Sequence, residues 1–158
     1  GHVLFVPPDA PLKISRISVP VDFSENSARA MEMALDLASK VKNCSVRCVH
    51  IVNTAPSNYY LDLKTRNRLD TQFLQSSKDA WNIFLEKNDF KKLEVPIDFV
   101  QNFNESSTKI LSNYFNNQHS DLVVMGAKGH TAFENFLYGS VTEKFVDSFN
   151  DCPIMIVR

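Results

Sequence analysis

Short apolar runs alternate along this chain with longer stretches in which apolar residues recur every three or four positions. The first pattern marks buried strands and the second amphipathic helices. Ile14 to Val21 is β-rich, and Pro20 stands where a strand would end, since proline has no amide to give a ladder. Ser24 is a good helix N-cap, and Ala28, Met31, Leu35 and Ala38 stripe a helix that ends near Lys42. Ser45 to Val52 reads as a second strand, broken by the polar, proline-containing stretch 54–58. Phe73, Ser77, Ala80, Trp81 and Phe84 share the face of a long helix finishing around Asn88, after an exposed connection and helix start over residues 58–70. Leu93 to Val100 alternates as a third strand. Ile110, Leu111, Tyr114 and Phe115 mark a third helix capped near Ser106 and Ser107. Leu122 to Met125 is a short apolar strand, Val141, Phe145 and Phe149 stripe a fourth helix, and Ile154 to Val157 is the last strand.

Strands alternating with helices, the strands being continuously apolar, imply an α/β fold with a parallel sheet covered on both faces and right-handed crossovers. In such sheets a ligand sits outside the carboxyl ends of the strands, where the winding reverses. The ends at Pro20, Val21 and Asp22 and at Met125 and Gly126 flank that crevice if the first and fourth strands are neighbours.

The bulk numbers narrow the field. At 158 residues the chain fits one domain and buries roughly two thirds of its unfolded surface without staples. A net charge of −1 offers no basic field for nucleic acid or an anionic membrane, so any phosphate site must be built locally from amides and hydroxyls. Cys44, Cys48 and Cys152 are odd in number and form no CxxC pair, which fits buried thiols in a reducing compartment. No apolar stretch approaches the ~20 residues of a membrane span and no signal-peptide pattern appears, making the cytoplasm the expected location. Residues 1–13 read as a tag remnant (Gly1 and His2) followed by an arm or linker, and 14–158 as the domain. Val3 to Pro7 echoes Pro153 to Val157, which is consistent either with a chain excised from something longer or with a plain disordered or packing arm, and such an arm could compete for the edge of the terminal strand.

Gly126 closes the fourth strand, Gly129 follows, and Gly139 and Ser140 open the last helix, with Thr142 on its first turn. A glycine-rich loop entering a helix N-terminus, with hydroxyls beside it, suits phosphate oxygens. The same glycines could be turn punctuation. No GxxxxGK[ST] and no GxGxxG can be written in the chain.

With G-x2-G-x9-G-(S/T) complete as Gly126, Gly129, Gly139 and Ser140, the chain resembles a universal stress protein domain of the ATP-binding subgroup. The opening Ile17 to Ser24, the strand around Val49, His50 and Ile51, the run Leu122 to Gly126 and the closing Cys152 to Val157 carry the same resemblance. It implies a Rossmann-like open sheet of five parallel strands in the order 3-2-1-4-5. It further implies a stress-response module holding ATP or AMP, with or without Mg2+, between strands one and four. By the same resemblance Pro20, Val21 and Ile51 would line the base pocket and Asp22 would meet the adenine and ribose. Met125 and Gly126 would lie near the ribose, and Gly129, His130, Gly139, Ser140, Val141 and Thr142 would wrap the phosphates. It also implies homodimers formed through the terminal strand 154–157, or pairing of tandem domains. Where the family often has a Gly-x-Pro turn before the third helix, this chain has Asn104 to Ser106, and asparagine tolerates the left-handed backbone such a turn needs.

Other readings stay open beside these. Asp22 can cap the following helix instead of meeting a ligand, and Ser140 and Thr142 can serve as caps. His50, inside an apolar strand, reads as a packed core histidine, whereas His130 could donate to a phosphate or stand in solvent. Lys128 and the helix-borne Trp81 read as a solvated lysine and a core residue. A slow ATPase would need an acid–base pair, and Glu134 and Glu143 are not convincingly placed for it. A nucleotide-independent dimerisation scaffold is the third alternative, since an apolar edge strand invites pairing.

Overall fold

The structure, a computed structural model, describes residues 1–11, 13–55, 60–127 and 140–158. Its strands are β1 (Val3–Phe5), β2 (Arg16–Pro20), β3 (Ser45–Asn53), β4 (Ile97–Asn102), β5 (Leu122–Gly126) and β6 (Ile154–Val157). The helices are α1 (Glu25–Lys40), α2 (Leu63–Lys87), α3 (Ser107–Asn117) and α4 (Ser140–Ser148). One sheet runs β1-β6-β5-β2-β3-β4. Five of these strands are parallel neighbours in the expected order.

The expectation of five strands is corrected to six. β1 lies antiparallel on β6, with Val3 opposite Ile156 and Phe5 opposite Ile154. An edge strand presents a row of unpaired amides and carbonyls, and the arm satisfies those of β6. The edge expected to join two copies is therefore paired within the chain.

Side chains alternate across the strands, and each face has its own cover. Ile17, Val19, Val46, Cys48, Leu122 and Val124 pack with Met31 and Ala34 of α1 and with Trp81 and Phe84 of α2. Val49, Val123, Met125, Ile154 and Ile156 pack with Phe115 of α3 and with Phe145 and Phe149 of α4. On that second face Asp98 of β4 receives Tyr114 Oη at 2.6 Å and the Arg47 guanidinium at 3.1 Å, tying α3 to the sheet.

Helix ends follow local chemistry. Ser24 accepts from the Ser27 amide, Asp62 from Thr65 and Ser106 from Lys109, each a side-chain oxygen meeting an amide that the first turn leaves unpaired. α2 buries only Trp81 and Phe84. Phe73, expected on its buried face, is exposed, as are most residues in the first half of this helix. The third expected strand starts later than Leu93. Residues Lys91–Leu93 form a single 3-10 turn, Glu94 is left-handed with φ 47°, and the ladder resumes only beyond Pro96.

At the amino ends of β2 and β5, Asp121 receives the Ser15 amide, the Ser15 hydroxyl and the Arg16 amide. Burial alone would raise this carboxyl, but the three donors outweigh it and hold its pKa below the ordinary value. This clamp leaves the opposite, carboxyl ends of the two strands as the place where they are free to separate.

Candidate functional site

β2 and β5 are paired only through Ile17 with Leu122 and Ser18 with Val123. Beyond that point each keeps its other neighbour. β2 stays on β3 as far as Pro20 opposite Val49, and β5 stays on β6 as far as Gly126 opposite Val157. The sheet thus splits at its carboxyl edge between the two strands from which the winding departs in opposite directions, the location at which doubly wound sheets receive ligands.

On the β2 side, Val21 is buried and its amide still reaches the Val49 carbonyl at 2.9 Å. The chain then turns through Asp22 and Phe23 into the Ser24 cap. Asp22 Oδ1 accepts from the Ser24 amide at 3.0 Å and from Ser27 Oγ at 2.5 Å, while Ser27 Oγ accepts from the Asp22 amide at 2.9 Å. The carboxylate therefore braces the turn that leads into the Ser24 cap, with its position set by the head of α1. Phe23 has φ 64°, uncommon for a bulky residue and held here by packing.

His50 and Ile51 of β3 point to opposite faces. Ile51 joins the cluster around Met125 and Phe145. His50 is half-buried, its Nδ1 is 2.8 Å from the Val21 carbonyl oxygen, and its ring stacks on Phe23 with centroids 4.2 Å apart. Burial pushes its pKa below the ordinary imidazole value, opposed by the Val21 carbonyl and the Asp22 charge.

On the β5 side, Met125 is buried, and Gly126 packs against the first turn of α1. A Cβ at Gly126 would fall 2.7 Å from the Asn26 carbonyl oxygen. The Thr142 hydroxyl, buried on the first turn of α4, donates to the Gly126 carbonyl at 3.2 Å. One residue on from Gly126, the Ala127 amide donates to the Val157 carbonyl at 2.9 Å. Gly126 is thereby gripped from α1 and α4, and the two ends of the glycine-rich segment meet.

Of the twelve residues expected to form the site, Pro20, Val21, Asp22, Met125 and Gly126 stand at the split, with Ile51 on the neighbouring strand. Ser140, Val141 and Thr142 form the first turn of α4, with Val141 exposed and the Thr142 hydroxyl already engaged. Gly129, His130 and Gly139 lie outside the described residues, as do Lys128 and Glu134. Glu143 is exposed on α4. Asn26 and Ser27 were not expected in this neighbourhood; the pair of serines three apart at the head of α1 was the available signal for Ser27. Among the described residues no group of His, Cys, Asp and Glu could hold a metal ion, and no helix is long and apolar enough to cross a membrane.

A doubly wound α/β domain whose sheet parts beside a glycine-rich segment defines the class. The model of the universal stress protein family matches residues 13–158, and the chain belongs to that family. It is 26% identical over 156 residues to the universal stress protein YxiE of Bacillus subtilis, covering 91% of this chain and 99% of that one. Its fold is similar to that of the universal stress protein UspA from Lactobacillus plantarum, with a TM-score of 0.72 at 19% identity over 94% of this chain and all of the other. A universal stress protein crystallised in complex with cAMP matches with a TM-score of 0.52 at 15% identity, over 91% of this chain and 97% of that one.

Proposed function

We propose that this chain is a regulatory module that binds an adenine nucleotide, ATP or AMP, at the split between β2 and β5. The observation that carries the reading is the parting of those strands after Ser18 and Val123, with Asp22 at one lip and Gly126 at the other. Apolar Val21, Ile51 and Met125 are close at hand for a purine, and the Asp22 carboxylate can accept from an amino or ribose hydroxyl group. The helix N-terminus at Ser140 offers amides and a favourable dipole to phosphate oxygens. The neighbour bound to cAMP supports an adenine nucleotide as the ligand class.

A ligand that binds only the folded state stabilises it, by about 4 kcal/mol at ~1,000 times its Kd. The test is thermal unfolding with and without millimolar ATP, ADP and AMP, in the presence and absence of magnesium. The reading expects a rise in Tm with at least one of them. No shift with any nucleotide, together with no nucleotide released when freshly purified protein is denatured, would overturn it.

A further inference from the structure

Both chain neighbours of Asp22 touch the same imidazole. Val21, on one side, gives its carbonyl to His50 Nδ1 at 2.8 Å, and Phe23, on the other, lies flat on the ring with an interplanar angle of 26°. Phe99 of β4 closes the edge of the ring at 6.2 Å and 77°. Trp81 and Phe84 of α2 pack on Phe23 with ring centroids at 6.1 and 5.8 Å. A carbonyl oxygen only accepts, so Nδ1 must carry the proton and the neutral ring is the Nδ1–H tautomer.

The position of this bond in the sheet gives it meaning. Val21 still donates to Val49, so in a continuing parallel ladder its carbonyl would next receive the Ile51 amide. The imidazole stands at that carbonyl instead, where β2 leaves the sheet. At the same place Phe23 is held in a left-handed conformation that bulky residues avoid, and its partners are the His50 ring and the aromatic pair on α2. A histidine serving only as filler would need neither the donor nor the stack.

We propose that His50 is a positioning residue for nucleotide recognition: by holding the Val21 carbonyl through Nδ1–H, it sets the direction in which Asp22 presents its carboxylate. His50 does not itself touch the ligand. The proposal rests on the nucleotide-binding reading above, and its test separates the two.

Nitrogen-15 NMR of the wild-type protein at neutral pH reads the tautomer directly. The expected spectrum has His50 Nδ1 protonated and Nε2 bare; a ring protonated on Nε2 overturns the proposal whatever the protein binds. Titration with ATP then compares H50N with H50F. Asparagine places its amide donor where Nδ1 was, and phenylalanine keeps the stack and volume without a donor. Affinity of H50N is expected within about threefold of wild type, and that of H50F about tenfold or more weaker, the scale of one lost hydrogen bond. Equal affinity of H50F and wild type, or equal weakening in both variants, overturns the proposal. If H50F does not fold, the wild-type tautomer and H50N decide. A wild-type protein that binds no adenine nucleotide would remove the binding reading, and the tautomer would still report whether His50 holds Val21.

Discussion

The carbonyl oxygen of Asn26 lies where a side chain on Gly126 would begin, only 2.7 Å from an ideal Cβ. The first glycine of the motif is therefore needed for packing of α1 against the end of β5, before any ligand is considered. The obstructing atom is backbone in the first turn of a capped helix, which cannot swing aside as a long side chain would.

Gly126→Ala is accordingly expected to destabilise the protein in the absence of nucleotide. Overpacking of a closed site costs typically about 1–3 kcal/mol, to be read as a lower urea midpoint at unchanged slope. A variant as stable as wild type would show that α1 yields at this point.

Thr142 tests the other grip on the same residue. Its hydroxyl is buried and donates to the Gly126 carbonyl. Thr142→Val keeps the shape and deletes the donor, leaving that carbonyl unpaired at a cost of about 1–3 kcal/mol. Thr142→Ser should recover most of the loss. Equal urea midpoints for the valine variant and wild type would contradict the bond's contribution.

Ser24 and Asp22 separate capping from recognition. Ser24→Ala removes an N-cap and should cost about 1 kcal/mol, while leaving the nucleotide-induced rise in Tm intact. Asp22→Ala removes both the turn contacts to Ser24 and Ser27 and the proposed acceptor for the ligand. It should lower the basal Tm and abolish the nucleotide shift as well. An Asp22→Ala protein that still shifts with ATP would confine Asp22 to holding the turn before α1.

The buried ring of His50 also fixes a pH dependence. Its folded pKa lies below the unfolded value of 6.5 because burial disfavours the cation, despite the opposing Val21 carbonyl and Asp22 charge. The unfolded chain therefore takes up the proton first as pH falls, so its contribution is complete above about pH 6.5 and is lost as pH drops through the folded value. Urea midpoints measured between about pH 5 and 8 should fall toward acid in wild type and do so less steeply in H50N. Parallel curves would assign the acid sensitivity to other groups.

Much of the architecture is readable from local pattern. Continuous apolar runs such as Leu122 to Met125 announce strands buried on both faces, and Ser24 and Ser106 announce helix starts, because each signal is complete within a few residues. The strand order followed from the family resemblance rather than from periodicity. What escaped depends on contacts between distant positions. The apolar arm could be read as a competitor for the edge at 154–157, but three residues at Val3–Phe5 ahead of two prolines carry too little period to fix a direction or a register. The first half of α2 has no buried stripe, so nothing in its apolar spacing marks where the helix begins. His50 reads as a core residue from its neighbours in sequence, and only folding brings it to the carbonyl of Val21. Likewise Asn26 explains Gly126 only once α1 is laid across the end of β5.

β1 has a consequence for how molecules of this kind can associate. Laid head to tail against β6, it makes the outermost backbone on that flank a three-residue stub running into Pro7 and Pro8, and prolines have no amide with which to continue a ladder. Among the described residues the longer uncovered border is the opposite one, Ile97–Asn102. A newcomer can align there or on the short outer side of β1, but to reach β6 it must first displace β1, which turns pairing with β6 into a competition between an attached segment and a diffusing one.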